Sequence, residues 1–122
     1  MKQSLIPVRF YKLPSGKEPV RNFLKDLDKK EKAKIGAMLL ALQNGEHLSG
    51  DQIKSLGNGL WELRIVAPRG IRVIYCYVKR GYIALLHAFF KKTQKTPMQD
   101  LELAQERKRT IELLEAIYEK EK

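Results

Sequence analysis

Eight of the chain's 24 basic residues lie in one segment that contains no aspartate or glutamate. The segment runs from Leu63 to Gln99 and carries Arg64, Arg69, Arg72, Lys79, Arg80, Lys91, Lys92 and Lys95. Elsewhere basic and acidic residues nearly balance, so most of the net charge of +10 belongs to this segment. Since a surface that serves only solubility intermixes the two signs, the segregation favours a site for a polyanion such as RNA or DNA.

Cations of this kind can also support the cleavage of RNA. The 2′-hydroxyl attacks the adjacent phosphate when it is held in line, one group takes its proton, another protonates the leaving oxygen, and cations stabilise the phosphorane. Arginine suits the last role because it grips phosphate oxygens bidentately and stays charged. His87 is the conventional candidate for a general base, but its apolar neighbours favour a hydrogen-bonded core residue, so the proton acceptor stays open.

Other kinds of site find little support in the sequence. The two histidines, His47 and His87, and the single cysteine, Cys76, do not form a spacing pattern for a zinc or two-metal site. There is no GxxxxGK[ST] loop or GxGxxG turn, and no serine lies in a nucleophile elbow. Neither a metal nor an organic cofactor is therefore expected, and Cys76, inside an apolar run, is predicted to be a buried, inert thiol.

The length of 122 residues predicts a single domain over residues 1–122. No apolar run approaches the ~20 residues of a membrane span. The N-terminus lacks the apolar stretch of a secretory signal, which leads us to expect a cytoplasmic protein.

The positions of apolar residues predict the elements that would hold the cations. Residues 7–11 are typical of a strand, and two helices follow over residues 19–27 and 28–44 as an antiparallel hairpin. Asp28 and Glu31 have the spacing of a capping box, and Asn44 and Gly45 form a stop signal. A loop rich in glycine and serine is expected next, with a hairpin-like turn at residues 57–59.

Three further strands are predicted over residues 60–66, 71–78 and 82–90, joined by turns at 68–70 and 79–81 as an antiparallel meander. A terminal helix over residues 97–118 would start with Thr96 as N-cap, Pro97 as first residue and Gln99 in a capping box. We expect an α+β domain with helices on one sheet face and the other face open. Arg64, Arg72 and Lys91 would converge on that open face.

Three motifs resemble one known family: K-S-L-G-N-G-L-W-E-L-R-I at 54–65, R-V-I-Y at 72–75 and L-L-H-A-F-F-K-K-T-Q-K-T-P at 85–97. Together they resemble the HigB-like, phage-derived branch of the RelE/ParE toxin superfamily, over nearly the whole chain. The resemblance implies a RelE-like fold with an N-terminal strand, a helical hairpin, a three-strand meander and a C-terminal helix. It also implies the toxin of a type II toxin–antitoxin system, a ribosome-dependent endoribonuclease (mRNA interferase) that needs no metal.

The resemblance also implies roles for individual residues. Lys54 is similar to a loop lysine before the strand pair, Arg64 and Arg72 to arginines facing the scissile phosphate, and Lys91 to the basic residue that closes the last strand. These four would be catalytic, and contacts to RNA or the ribosome would come from Arg69, Lys92 and Lys95. Separately from the resemblance, strand alternation directs one of Phe89 and Phe90 to the core, and Phe90 is the aromatic residue expected to stack a base. Some relatives use a histidine or tyrosine near the C-terminus as general acid or base, where this chain offers Tyr118.

The partners implied by the resemblance are a HigA-like helix-turn-helix antitoxin, the ribosome and mRNA, with operator DNA bound only through the antitoxin and no membrane. Two alternatives stay open: a ParE-like inhibitor of DNA gyrase, and a non-catalytic RNA-binding relative. The ParE-like branch lacks catalytic basic residues, so the presence of Lys54, Arg64, Arg72 and Lys91 favours the nuclease.

Overall fold

The computed structural model describes residues 5–66 and 69–121. In chain order the elements are β1 (Val8–Phe10), α1 (Pro19–Lys25), α2 (Lys29–Gln43), β2 (Ile53–Gly57), β3 (Leu60–Ile65), β4 (Ile71–Val78), β5 (Tyr82–Phe90) and α3 (Met98–Lys120). The strands form one sheet in the order β1-β5-β4-β3-β2. The predicted α+β class and RelE-like fold are confirmed.

The helical hairpin begins and ends where the sequence signals lie. The Asp28 side chain accepts from the Glu31 amide, and Glu31 accepts in return from the Asp28 amide, so the predicted capping box is present. α2 ends at Asn44, and Gly45 follows with a φ of 70°. The buried side chains Val20, Leu27, Ile35 and Leu42 pack α1, α2 and the turn between them onto the sheet.

The meander of β3, β4 and β5 is antiparallel, as predicted. β2 is an additional strand in a segment for which a loop was expected, and it pairs with β3 through a two-residue turn. In that turn Asn58 has a φ of 54° and Gly59 a φ of 78°, which matches the twist of an antiparallel hairpin. At the other edge of the sheet β1 pairs in parallel with β5. Pro68, in the turn predicted at 68–70, lies outside the described residues.

The expectation that one sheet face stays open is wrong, because α3 packs on it. The apolar side chains Leu60, Ile74, Cys76, Ala84 and Leu86 are buried on this face. Ala104 of α3 lies fully buried among them, with Leu101 and Ile111 beside it. The sheet therefore has two buried faces: the hairpin face, under α1 and α2, and the α3 face. The physical reason is that β4 is apolar on both sides and needs a cover on each.

A β-bulge in β5 changes which side chains reach the α3 face. Ile74 lies opposite His87, but the next residue, Tyr75, lies opposite Leu85, so Leu86 is an extra residue in β5. Leu85 packs on the hairpin face and Leu86 on the α3 face. The bulge therefore brings both Leu86 and His87 to the α3 face.

The packing of α3 can be tested at its buried alanine. We expect Ala104→Leu to lower the free energy of unfolding by about 1–3 kcal/mol, because the larger side chain does not fit between α3 and the sheet. Ala33→Leu, at an exposed position of α2, is the matched control and should leave stability nearly unchanged. Urea denaturation followed by circular dichroism measures both, and equal losses would contradict the packing of α3 on this face.

Candidate active site

Two rows of side chains cross the α3 face at the end of the sheet where β3 ends and β4 begins. Residues directly opposite one another in neighbouring strands share a face. One row consists of Lys54, Glu62, Ile74 and His87, and the next consists of Arg64, Arg72 and Phe89. We call Lys54, Glu62, Arg64, Arg72 and His87 the polar cluster. The sheet register thus brings Lys54, Arg64 and Arg72 together, three of the four residues proposed as catalytic.

Glu62 lies at the centre of the polar cluster and is fully buried. Its Oε1 accepts from Arg64 Nε at 2.9 Å and lies 3.6 Å from Arg72 Nη1. Its Oε2 accepts from Thr96 Oγ1 at 2.7 Å. Two arginines directly opposite each other would repel, so the carboxylate between them is what allows the pair to lie side by side.

Arg72 is only 3% exposed and does not lie on an open surface, contrary to expectation. Its Nη1 donates to the main-chain oxygen of Gln94 at 3.0 Å, so the loop of residues 91–97 lies across it. The pKa of Arg72 is lowered, mainly by burial. The nearby Glu62 carboxylate opposes this shift, and the positive charge of Arg64 adds to it. Because an arginine pKa starts so high, the guanidinium stays charged at neutral pH.

Arg64 is more accessible, with 21% of its side chain exposed. Its Nε donates to Glu62, while its Nη2 is buried without a hydrogen-bond partner. A guanidinium carries five N–H donors in a rigid fork, so the bond from Nε to Glu62 fixes the orientation of Arg64. Arg64 is therefore the member of the pair best placed to contact a phosphate.

Thr96 does not cap α3, and that prediction is wrong. The N-cap residue is Pro97, no side chain caps the helix, and the Thr96 hydroxyl donates to Glu62 instead. A buried carboxylate without enough donors is more costly than an exposed helix end, which water can satisfy. The same hydrogen bond ties the start of α3 to the polar cluster.

His87 joins the polar cluster to α3. Its Nε2 lies 2.6 Å from Asp100 Oδ1, and its ring stacks on Phe89 with centroids 5.3 Å apart. The side chains of His87 and Asp100 are 17% and 20% exposed. His87 is hydrogen-bonded, as the sequence indicated, but solvent still reaches it.

One lysine, Lys54, belongs to the polar cluster, and three more follow the end of β5. Lys54, expected in a loop, is an exposed residue of β2 opposite Glu62. Lys91 directly follows β5, and its amide donates to the Gly70 oxygen at 2.8 Å. Gly70 has a φ of 71°, and a Cβ there would lie 3.1 Å from Lys91 Cβ, so both the backbone conformation and the close approach favour glycine. Lys92 and Lys95 are exposed in the loop that crosses Arg72.

Arg69 and Phe90 do not lie with the polar cluster. Arg69 donates to the buried Glu31 of α2 from Nε and Nη2, at 2.9 and 2.7 Å, and half of its side chain is exposed. Its guanidinium also lies 4.3 Å from the centroid of Phe90, which packs against Phe23 on the hairpin face. The hydrogen bonds from Arg69 lower the pKa of Glu31.

Tyr118 lies at the other end of the sheet. The guanidinium of Arg80, in the turn between β4 and β5, lies 4.2 Å from the centroid of the Tyr118 ring. Tyr118 is therefore separated from the polar cluster by the length of the strands.

Sequence reasoning missed Glu62, Thr96 and Asp100 as parts of this site. The signal for Glu62 was present, because strand alternation puts it on the same face as Arg64, two residues away. Asp100 is the first acid after the acid-free segment.

In residues 5–66 and 69–121 no group of three or more His, Cys, Asp or Glu side chains could hold a metal ion. None of the helices described there is long and apolar enough to cross a membrane.

A protein-family profile described as "Phage derived protein Gp49-like (DUF891)" matches residues 22–109 of the chain. The match runs from α1 into α3 and includes every residue of the polar cluster. No match is found among curated proteins.

The central role of Glu62 can be tested by removing its charge. We expect Glu62→Gln to lower the free energy of unfolding by about 3 kcal/mol, because two arginines, one of them buried, lose their counterion. Glu102→Gln, at an exposed position of α3, is the matched control and should be nearly neutral. Urea denaturation measures both variants, and a Glu62→Gln protein as stable as the control would contradict this role.

The lowered pKa of Glu31 predicts a pH dependence of stability. In acid the unfolded chain binds a proton at Glu31 before the folded protein does, so stability rises with pH there. The contribution is complete above the ordinary glutamate pKa of ~4.3 and is lost as pH falls through the lowered value. Glu31→Gln keeps a residue suited to a capping box and should flatten this part of the curve. Urea midpoints across the acid range measure it, and a variant curve parallel to that of wild type would contradict the prediction.

Proposed function

The chain belongs to the Gp49-like family of phage-derived proteins, and from this membership and the polar cluster we propose that it is a ribosome-dependent endoribonuclease. The family is a toxin-like family of the RelE/ParE type, associated with toxins of toxin–antitoxin systems. In our proposal the chain is the HigB-like toxin of a type II system and acts as an mRNA interferase. The three motifs that resemble the HigB-like branch support this finer assignment.

The observation that carries the proposal is the pair Arg64 and Arg72, opposite each other on β3 and β4 and held by the buried Glu62. Cations fixed before the substrate arrives stabilise developing negative charge without reorganising. Arg64 is the partly exposed member of the pair, with 21% of its side chain accessible, which suits contact with a scissile phosphate. Exposed lysines beside it would attract the RNA backbone by long-range electrostatics.

We assign the two arginines different roles. Arg64 contacts the phosphate directly, whereas the buried Arg72 lies beside Arg64 and positions the loop of residues 91–97 through the Gln94 oxygen. Lys54, within the polar cluster, and Lys91, directly after β5, supply further positive charge. Lys92 and Lys95, exposed in the same loop, contact the RNA or ribosomal backbone.

The geometry gives less support to Arg69 and Phe90 as RNA contacts. Both lie on the hairpin face, where Phe90 is packed between Phe23 and the Arg69 guanidinium. The exposed half of Arg69 remains available to a partner approaching that face. Any contact of these residues with the ribosome would therefore be separate from the cleavage site.

Membership in a toxin-like family implies an antitoxin partner. We propose a HigA-like helix-turn-helix antitoxin encoded beside this chain, with operator DNA bound only through that partner. Co-purification of the chain with the neighbouring gene product tests this part of the proposal.

The function is tested by inducing the chain in cells while mapping mRNA 5′ ends and DNA supercoiling. Cuts within translated codons would support the nuclease. Relaxed or broken DNA with intact transcripts would identify a ParE-like gyrase inhibitor instead. Growth arrest without either change would point to a non-catalytic RNA-binding relative.

Arg64→Ala tests the site itself. We expect cleavage of ribosome-bound mRNA to slow by about 100-fold or more, because a fixed donor to the phosphorane is lost. Arg109→Ala, which removes the same side chain from an exposed position of α3, is the matched control and should cleave like wild type. If Arg64→Ala cleaves as fast as the control while folded to the same extent, the site assignment is wrong.

A further inference from the structure

We propose that His87 and Asp100 form the proton-transfer pair of this site, in which the His87 imidazole accepts the proton of the attacking ribose 2′-hydroxyl. Asp100 is a positioning residue that fixes the orientation and tautomer of the ring. The inference rests on the proposed function, since it names the general base of the same cleavage reaction.

The β-bulge of β5 is what makes His87 available. Because Leu86 is the extra residue, His87 faces the α3 side together with Arg72 and Glu62. Bulges leave ladder groups unpaired, and here the Leu86 oxygen accepts from Arg107 Nη1 of α3 at 2.7 Å. The backbone that carries His87 is therefore held by the sheet and by α3 at once.

Asp100 gives the imidazole a defined tautomer. It lies in the first turn of α3, where the helix dipole favours a carboxylate. A carboxylate only accepts hydrogen bonds, so at 2.6 Å from Asp100 the Nε2 atom of His87 carries the hydrogen. In the neutral ring the lone pair then lies on Nδ1, which is the atom able to take a proton.

The Nδ1 atom of His87 is free to meet a substrate. No described residue forms a hydrogen bond with it. In the part of the chain that the structure describes, the buried side-chain atoms without partners are Arg64 Nη2 and Glu115 Oε1, and Nδ1 is not among them. An unpaired, solvent-accessible Nδ1 on the same sheet face as two fixed arginines has the arrangement that a general base requires.

Two other acid–base candidates, Glu62 and Tyr118, are held in other contacts. Glu62 is fully buried and already accepts from Arg64 and Thr96. Tyr118 lies under Arg80 at the far end of the sheet. The charged groups around the imidazole on this face are Asp100 and Arg107 of α3, Arg72 of β4 and Glu62 of β3.

The step balances without a further reactant. The O2′–H bond breaks and its proton moves to His87 Nδ1, while O2′ forms a bond to phosphorus. The bond between phosphorus and O5′ then breaks, and O5′ takes a proton from solvent. The products are a 2′,3′-cyclic phosphate and a 5′-hydroxyl end, and His87 returns its proton to solvent.

The test is single-turnover cleavage of ribosome-bound mRNA across a pH series by wild type, His87→Gln and Asp100→Asn. We expect His87→Gln to cleave about 100-fold more slowly and to lose the acid limb of the pH–rate profile. Asp100→Asn should shift that limb, which a merely structural contact would not do. His47→Gln, at an exposed position, is the matched control and should keep the wild-type rate and profile.

The outcomes separate this inference from the proposed function. If wild type cleaves and folded His87→Gln keeps its rate and acid limb, the proton-transfer role is overturned while the nuclease stands. If wild type does not cleave, both are overturned. Nitrogen NMR of the wild-type imidazole gives a readout that needs no variant: hydrogen on Nε2 supports the inference, and hydrogen on Nδ1 overturns it.

Discussion

A buried carboxylate with three partners determines how this end of the molecule is built. Glu62 receives Arg64 from its own strand, lies within ion-pair distance of Arg72 on the next strand, and accepts from Thr96 at the approach to α3. Each partner belongs to a different segment, so the sheet, the loop of residues 91–97 and the start of α3 share one electrostatic centre. A carboxylate in this position cannot lose a partner cheaply, because an uncompensated charge away from water is costly.

The two sheet faces carry different tasks. On the hairpin face α1 and α2 cover an apolar layer. At its edge the half-exposed Arg69 donates to Glu31 of α2 and lies over the ring of Phe90. On the α3 face the apolar layer covers only part of the sheet, and the end that it leaves holds the polar cluster. The polar cluster thus lies on paired strands of the sheet, which favours fixed geometry over adaptability.

The elements with strong local signals could be predicted, and those decided by long-range contacts could not. The capping box of α2 and the alternation in β3 are visible within a few residues of sequence. β2 was missed because its short segment is rich in serine and glycine and becomes a strand only by pairing with β3. Thr96 was assigned as a cap because the competing acceptor, Glu62, is 34 residues away. The burial of Arg72 likewise depends on the Gln94 oxygen, which no local pattern indicates.

The single cysteine adds a property of its own. Cys76 lies on β4 among the residues that α3 covers, and burial raises the pKa of its thiol to about 11. The thiolate is the reactive form, and very little of it is present while the helix is docked, so Cys76 reacts slowly with a modifying reagent. Detachment of α3 would expose the sulfur to water and restore ordinary reactivity, so the rate of thiol labelling reports how often this layer opens. Cys76 is therefore a built-in chemical probe of whether α3, the helix that also carries Asp100, is docked on the sheet.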